Sequence, residues 1–230
     1  MASTLEKAGL IRPSATWRLR GRLYFLTMDE AAIGHVQQVE AACQAGIRWI
    51  QLRMKQAGAD EVREAALAAK KICDERDCVL IINDRVEIAA EVKAHGVHLG
   101  KQDMPVSEAR QRLGEDAIIG GTANTIEDIR EHYRQGADYI GLGPYRYTTT
   151  KKDLSPILGL EGYRSIMSRL RQEGIPIPIV AIGGIGMKDA VPLLEAGLQG
   201  IAFSGLLVHA GDRHAMVQSL EEEVSKSLLC

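Results

Sequence analysis

"GVHLGKQDMPVSEARQRLGEDAIIGGTANTIEDIREHYRQGADYIGLG", Gly96 to Gly143, carries the pattern that decides the fold. Three short β-rich runs, "GVHLG", "IIGGT" and "YIGLG", alternate with segments whose apolar residues recur at helical spacing. The helical segment "TIEDIREHYRQG" ends in Gly136 just before the next strand, as a left-handed C-cap requires, because glycine enters that conformation without a Cβ penalty. The same unit recurs in both directions. Towards the N-terminus lie "LYFLT", "WIQLR" and "VLIIND", and towards the C-terminus "IPIVAIGG" and "GIAFSG". The segments "EAAIGHVQQVEAACQAG", "DEVREAALAAKKICDE" and "MKDAVPLLEAG" fall between them with the same helical period, two of them again closing on glycine.

Strand followed by helix, eight times, forces parallel strands with right-handed crossovers. Eight such units close into a barrel with no exposed sheet edge, so the predicted fold is α/β, a single (β/α)8 TIM barrel. An open doubly wound sheet is the structural alternative. At 230 residues and 46% hydrophobic composition the chain suits one core. Residues 1–20, with Arg12, Arg18 and Arg20 beside Leu10, Ile11 and Trp17, are read as an N-terminal extension, either a capping helix over the barrel bottom or a disordered arm. Residues 21–230 form the predicted catalytic barrel. The last segment, "LLVHAGDRHAMVQSLEEEVSKSLLC", reads as a final amphipathic helix with a loose end.

Composition excludes several classes of function. Lys+Arg 28 against Asp+Glu 30 leaves a net charge of −2, so no global positive field recruits nucleic acid or an anionic membrane. Cys43, Cys73, Cys78 and Cys230 lack CxxC spacing and a histidine cluster, which argues against a zinc site or a disulfide framework. No apolar run approaches the ~18 residues of a membrane span, and the charged amino end lacks a signal-peptide core. The expectation is a soluble, cytoplasmic protein with reduced thiols. Homo-oligomerisation is expected only on the general habit of such barrels.

In a closed parallel barrel the loops after the strands converge on one face, and ligands bind there. After the second strand, "QLRMK" sets Gln51, Arg53 and Lys55 on alternate positions, so that an amide and two cations share a face and make an anion grip. The third strand ends in "INDR", presenting Asn83 and Asp84, and "GKQD" after the fourth presents Asp103. Adjacent strands lie ~4.8 Å apart, within reach of one shared ion. Two carboxylates beside an anion grip suit Mg²⁺, which completes its octahedron with water and substrate phosphate. Each aspartate taken alone also fits a helix N-cap. His98, in mid-strand, reads as a core histidine rather than a ligand. In "GGTANT", Thr122 takes a site role and Thr125 caps the next helix.

"AIGGIG" and "FSG" follow the seventh and eighth strands, the frequent barrel phosphate site, and let backbone N–H groups approach an anion at Gly184, Ser204 and Gly205. Either Ser204 or Gly205 makes the closer contact. The threonine-lysine stretch "GPYRYTTTKKDLSPILG", Gly143 to Gly159, is long for a barrel loop and reads as a mobile lid, with Thr148 and Thr150 bonding phosphate oxygens and Lys151 supplying a charge on closure.

Taken in order, "QLRMK", "INDR", "HLGKQD", "GPYRYTTTKK" and "AIGGI" resemble the motifs of the thiamin phosphate synthase family over about Leu23 to Leu207. That resemblance implies condensation of 4-amino-5-hydroxymethyl-2-methylpyrimidine diphosphate with a hydroxyethylthiazole phosphate, releasing diphosphate. It implies Mg²⁺ on Asp84 and Asp103. It assigns the pyrimidine diphosphate to Gln51, Arg53, Lys55, Asn83 and Lys151, and the thiazole phosphate to Thr148, Thr150 and Gly184. Arg53, Lys55 and Lys151 are then the catalytic charges.

The related thiazole tautomerase is the rival, since it shares the barrel and part of the pattern. Where the family has a "G-x-S-x-H" pattern, this chain keeps a hydroxyl at Thr122 but carries Asn124 in place of the histidine. An amide cannot shuttle a proton near neutral pH, which weighs against the tautomerase. A non-catalytic phosphate-binding barrel would show loss of charged site positions, and all are present. A phosphosugar isomerase or epimerase would need a well-placed base.

Overall fold

The computed structural model describes residues 21–147 and 156–227. Eight parallel strands close on themselves in sequence order: β1 (Leu23–Leu26), β2 (Trp49–Leu52), β3 (Val79–Asn83), β4 (Gly96–Leu99), β5 (Ile118–Ala123), β6 (Tyr139–Leu142), β7 (Ile179–Ile182) and β8 (Gly200–Phe203). β8 pairs back to β1, Tyr24 lying opposite Ala202, so the expected barrel is the one observed. Around it run α1 (His35–Ala45), α2 (Ala59–Glu75), α3 (Val86–Glu91), α4 (Val106–Leu113), α5 (Ile126–Arg134), α6 (Gly159–Gln172), α7 (Ala190–Glu195), α8 (Gly205–Val208) and α9 (Arg213–Ser227).

Strand alternation separates two cores. Phe25, Ile50, Leu52, Leu80, Ile82, Leu99 and Ile140 point outward and pack against the helices. Tyr24, Trp49, Ile81, Tyr139, Val180 and Ala202 point inward and fill the barrel. Covered on both sides, the strands are buried along nearly their whole length, as parallel sheets must be when helices shield them.

The glycine caps read from the sequence sit where they were expected, Gly46, Gly136 and Gly197 having φ of 107°, 85° and 100°. Thr125 caps α5, its side chain accepting the Asp128 N–H at 3.2 Å. Two segments differ from expectation. The first helix begins at His35 rather than near Glu30, because Gly34 forms the cap and residues 27–34 serve as the loop after β1. The final segment is split into α8 and α9, since Asp212 starts a new helix by accepting the Ala215 N–H at 2.9 Å.

At the barrel end remote from the strand C-termini, Arg110 is 7% exposed and its Nη2 donates to Asp138 Oδ2 at 2.5 Å. The same carboxylate oxygen accepts the Ile119 N–H, fixing the entry to β5. The three described cysteines, Cys43, Cys73 and Cys78, are buried free thiols. Hydrogen bonding to Cys73, with burial, pushes the Cys43 thiol up to about 12, so it carries no thiolate chemistry. Among the described residues no helix is long and apolar enough to cross a membrane.

Candidate active site

A cavity of about 380 Å³ opens at the C-terminal ends of the strands. Gln51, Arg53, Lys55, Asn83, Asp84, Thr122, Gly184, Ser204 and Gly205 all line it, so residues from five strand ends converge. The alternation argued from "QLRMK" holds: Gln51, Arg53 and Lys55 face the cavity, while Leu52 and Met54 face the helices. A second hollow of about 550 Å³, at the opposite end among Asp74, Lys93, His95 and Arg112, contains none of the sequence-derived site residues.

The anion-gripping arm is built on the end of β2. Thr27 is fully buried, and its Oγ1 accepts the Arg53 N–H at 2.9 Å and lies 3.2 Å from the Arg53 carbonyl oxygen. His35 Nδ1 stands 2.8 Å from the same hydroxyl, with its Nε2 3.2 Å from Asp29. Asp29 in turn accepts the Lys55 N–H at 3.3 Å. This support is invisible in the spacing of "QLRMK" itself. It comes from the loop after β1, which the barrel closure lays beside the end of β2.

Lys55 Nζ pairs with Asp84, and Asp84 also meets Asp103 side chain to side chain. Neither aspartate caps a helix: the N-cap positions of α3 and α4 are Arg85 and Pro105, without side-chain cap bonds. Asp84 instead adopts φ 62°, a left-handed conformation that costs a non-glycine residue energy and concentrates at functional positions. Burial raises the Asp84 pKa, and the Asp103 carboxylate pushes the same way against the Lys55 ammonium. Asp103 does not line the cavity. Its Oδ2 accepts the N–H of Gly100, a lining residue, at 2.6 Å. Among the described residues no group of three or more His, Cys, Asp or Glu is placed to hold a metal.

Across the mouth, Gly183 and Gly184 have φ of 95° and 71°, exposing backbone amides that a side-chain-bearing residue would not present without strain. Loop seven is braced by the start of the long loop after β6. The Tyr145 and Arg146 N–H groups donate to the Ile182 and Gly183 carbonyls, both at 2.9 Å. Arg146 also makes a two-pronged ion pair with Asp189. The sequence-derived lid residues Thr148, Thr150 and Lys151 lie outside the described residues, as do residues 1–20.

The floor of the cavity escaped the sequence reading. Tyr24 and Trp49 pack at a tilt of 50° with ring centroids 4.7 Å apart, and Trp49 meets Tyr139 edge-on at 5.5 Å. His98, read from the sequence as a core histidine, points into the barrel and lines the cavity while remaining only 9% exposed. The signal lay in the period: His98 pairs with Asn83 and Gly120 across the sheet, in the layer that carries the site. Asn124, by contrast, turns away and donates to the Gly143 carbonyl.

A closed (β/α)8 barrel whose strand ends gather an amide, two cations and two carboxylates on one side and glycine-rich amides on the other defines an enzyme that handles phosphate groups. A family model described as thiamine monophosphate synthase matches residues 23–207, and the chain belongs to that family. It is 49% identical over 198 residues to the thiamine-phosphate synthase of Bacteroides thetaiotaomicron, covering 86% of this chain and 95% of the relative. With the thiamine-phosphate synthase of Flavobacterium johnsoniae the identity is 40% over 208 residues, 90% and 98% of the two chains. The solved thiamine phosphate pyrophosphorylase from Pyrococcus furiosus superposes with a TM-score of 0.80 at 32% identity, covering 92% of this chain and 99% of that one.

Proposed function

We propose that this chain is a thiamine-phosphate synthase that joins 4-amino-5-hydroxymethyl-2-methylpyrimidine diphosphate to hydroxyethylthiazole phosphate, or its carboxylated form, and releases diphosphate. The observation that carries the reading is the sharing of one cavity by the Gln51, Arg53, Lys55, Asn83 and Asp84 group and the Gly184, Ser204 and Gly205 amides. Two phosphate-bearing substrates need two anion sites facing a common reaction space.

In this reading Arg53 and Lys55 hold the diphosphate, and the aromatic floor of Tyr24, Trp49 and Tyr139 carries the pyrimidine ring. The bond from the pyrimidine methylene carbon to the diphosphate oxygen breaks with its electron pair leaving on the diphosphate. The thiazole nitrogen then donates its lone pair to that carbon. Arg53 and Lys55 stabilise the charge that develops on the leaving oxygen, and fixed cations in a part-buried site do so without reorganising. Gly184, Ser204 and Gly205 orient the thiazole phosphate so that its nitrogen is presented to the carbon. By family correspondence Thr148, Thr150 and Lys151 complete the two phosphate sites.

Asp84 and Asp103 are the residues that would hold Mg²⁺, which when bound neutralises charge on the diphosphate. The raised pKa of Asp84 and its contact with Asp103 support that assignment. Asn124, engaged with the Gly143 carbonyl, offers no proton shuttle where the tautomerase carries its histidine.

The test is to mix the protein with both substrates and Mg²⁺ and to measure thiamin phosphate and diphosphate with and without EDTA. Equal amounts of both products, lost with EDTA, are expected. Thiazole tautomer exchange without condensation overturns the reading.

A further inference from the structure

The backbone ladder between β1 and β2 ends where Thr27 donates its N–H to the Gln51 carbonyl at 3.0 Å. In a ladder that continued, the Arg53 N–H would meet the Thr27 carbonyl, and the Arg53 carbonyl would meet the Asp29 N–H. The chain after Thr27 instead turns into the loop that leads to α1, and side chains take over. Thr27 Oγ1 accepts the Arg53 N–H at 2.9 Å and lies 3.2 Å from the Arg53 carbonyl oxygen. Asp29 Oδ2 accepts the Lys55 N–H, two residues further along the same edge, at 3.3 Å. Residues 53–55 thus keep the alternation of β2 beyond its last residue, Leu52, and that alternation brings Arg53 and Lys55 to the cavity.

One side chain spans both of these substitutes for the ladder. His35, the first residue of α1, sets its Nδ1 2.8 Å from Thr27 Oγ1 and its Nε2 3.2 Å from Asp29 Oδ1. The His35 side chain is 15% exposed and that of Asp29 13%, so water competes little for the contact. The two nitrogens stand at fixed positions on a rigid ring, which sets the separation of the partners, and either sense of the His35–Thr27 bond serves the clamp. The loop itself is fastened elsewhere. Gln38, 2% exposed, accepts the Met28 N–H at 3.0 Å and donates to the Met28 and Ile33 carbonyls, both at 2.9 Å. His35 therefore bears on Arg53 and Lys55 rather than on the path of the loop.

From this geometry we infer that His35 is a positioning residue for the diphosphate site: by clamping Thr27 and Asp29 against the extension of β2, it keeps the Arg53 and Lys55 side chains aimed at the leaving group. The inference rests on the function proposed above, in which those two cations receive the diphosphate. None of Thr27, Asp29 and His35 lines the cavity, so the effect passes through the backbone. A shift of ~1 Å in where a catalytic charge is rooted is enough to slow a reaction.

Two measurements test it. The first is amide hydrogen exchange without substrates. His35→Ala is expected to speed exchange at Arg53 and Lys55 about tenfold, the worth of one hydrogen bond, and to leave the Met28 amide, which Gln38 holds, as slow as in the parent. Equal exchange at Arg53 and Lys55 in the two proteins overturns the clamp whatever the protein catalyses. The second is steady-state kinetics. His35→Ala is expected to raise KM for the pyrimidine diphosphate about tenfold and to leave KM for the thiazole phosphate unchanged. His35→Asn, whose amide stands where Nδ1 does, should recover part of that loss. An unchanged KM for the pyrimidine diphosphate, or an equal rise in both KM values, refutes the role. Should His35→Ala fail to fold, Asp29→Ala opens the clamp from its other end, with the same pattern expected. If the unsubstituted protein makes no thiamin phosphate, the functional reading falls, while the exchange result still decides the clamp.

Discussion

Replacing Asp84 by asparagine changes charge with almost no change of shape. Asp84 sits at φ 62°, and asparagine enters that left-handed region as readily as any side-chain-bearing residue, so the backbone of Asp84→Asn should hold. The ion pair with Lys55 is lost, but the Lys55 side chain is 47% exposed, and such a pair contributes at most about 1 kcal/mol. One of the two carboxylates proposed for Mg²⁺ disappears as well. Losing one preorganised stabiliser of developing charge costs about 10²–10³ in kcat, or about 2.7–4 kcal/mol. The second effect dominates, and kcat is expected to fall by about 10²–10³-fold. The assay is diphosphate release across a Mg²⁺ series with both substrates saturating. Turnover within tenfold of the parent would refute the carboxylate pair as the cation site.

Stability should move the other way. Burial, with help from Asp103, raises the folded-state pKa of Asp84 above its value in the unfolded chain, so across that interval the folded protein binds more protons. Stability of the metal-free protein therefore falls as pH rises from the ordinary carboxylate range through the raised pKa. Asp84→Asn removes that loss and should melt above the parent at neutral pH without metal. A lower Tm would place Asp84 in the scaffold instead.

Gly184→Ala should weaken thiazole phosphate binding, since a Cβ there would come 3.0 Å from Arg146 Cβ and from the Tyr147 carbonyl oxygen at φ 71°. A rise of about tenfold or more in KM for that substrate alone is expected, and an unchanged KM would remove loop seven from the phosphate site. Arg110→Ala strands the Asp138 carboxylate at the far end of the barrel and should cost about 3–5 kcal/mol. Seen by chemical denaturation, that loss should leave kcat at low temperature intact. Lys151→Ala is expected to lower kcat more than it raises KM for the thiazole phosphate, a pattern that marks an interaction made in the transition state, whereas a change in KM alone would make Lys151 a binding residue.

The architecture was legible because its signals are local. Gly46, Gly136 and Gly197 mark helix ends by a property of their own backbone, and Gln51, Arg53 and Lys55 share a face because strand period is two. Motif order did the same for Asp84 and Thr122. Asp103 was anticipated as a neighbour of Asp84, but the turn that its carboxylate closes on the Gly100 N–H was not.

What the chain alone determined, then, is the alternation of strand and helix, the closed barrel that alternation implies, and the charged positions at its strand ends. Only the tertiary structure decided which mid-strand residues meet. Tyr24, Trp49, His98 and Tyr139 come from four strands spread across 116 positions of sequence, and nothing local distinguishes them from core. The shear of the closed barrel brings their rings together and lets a glycine on β5 and another on β6 make room for an imidazole between a phenol and a threonine.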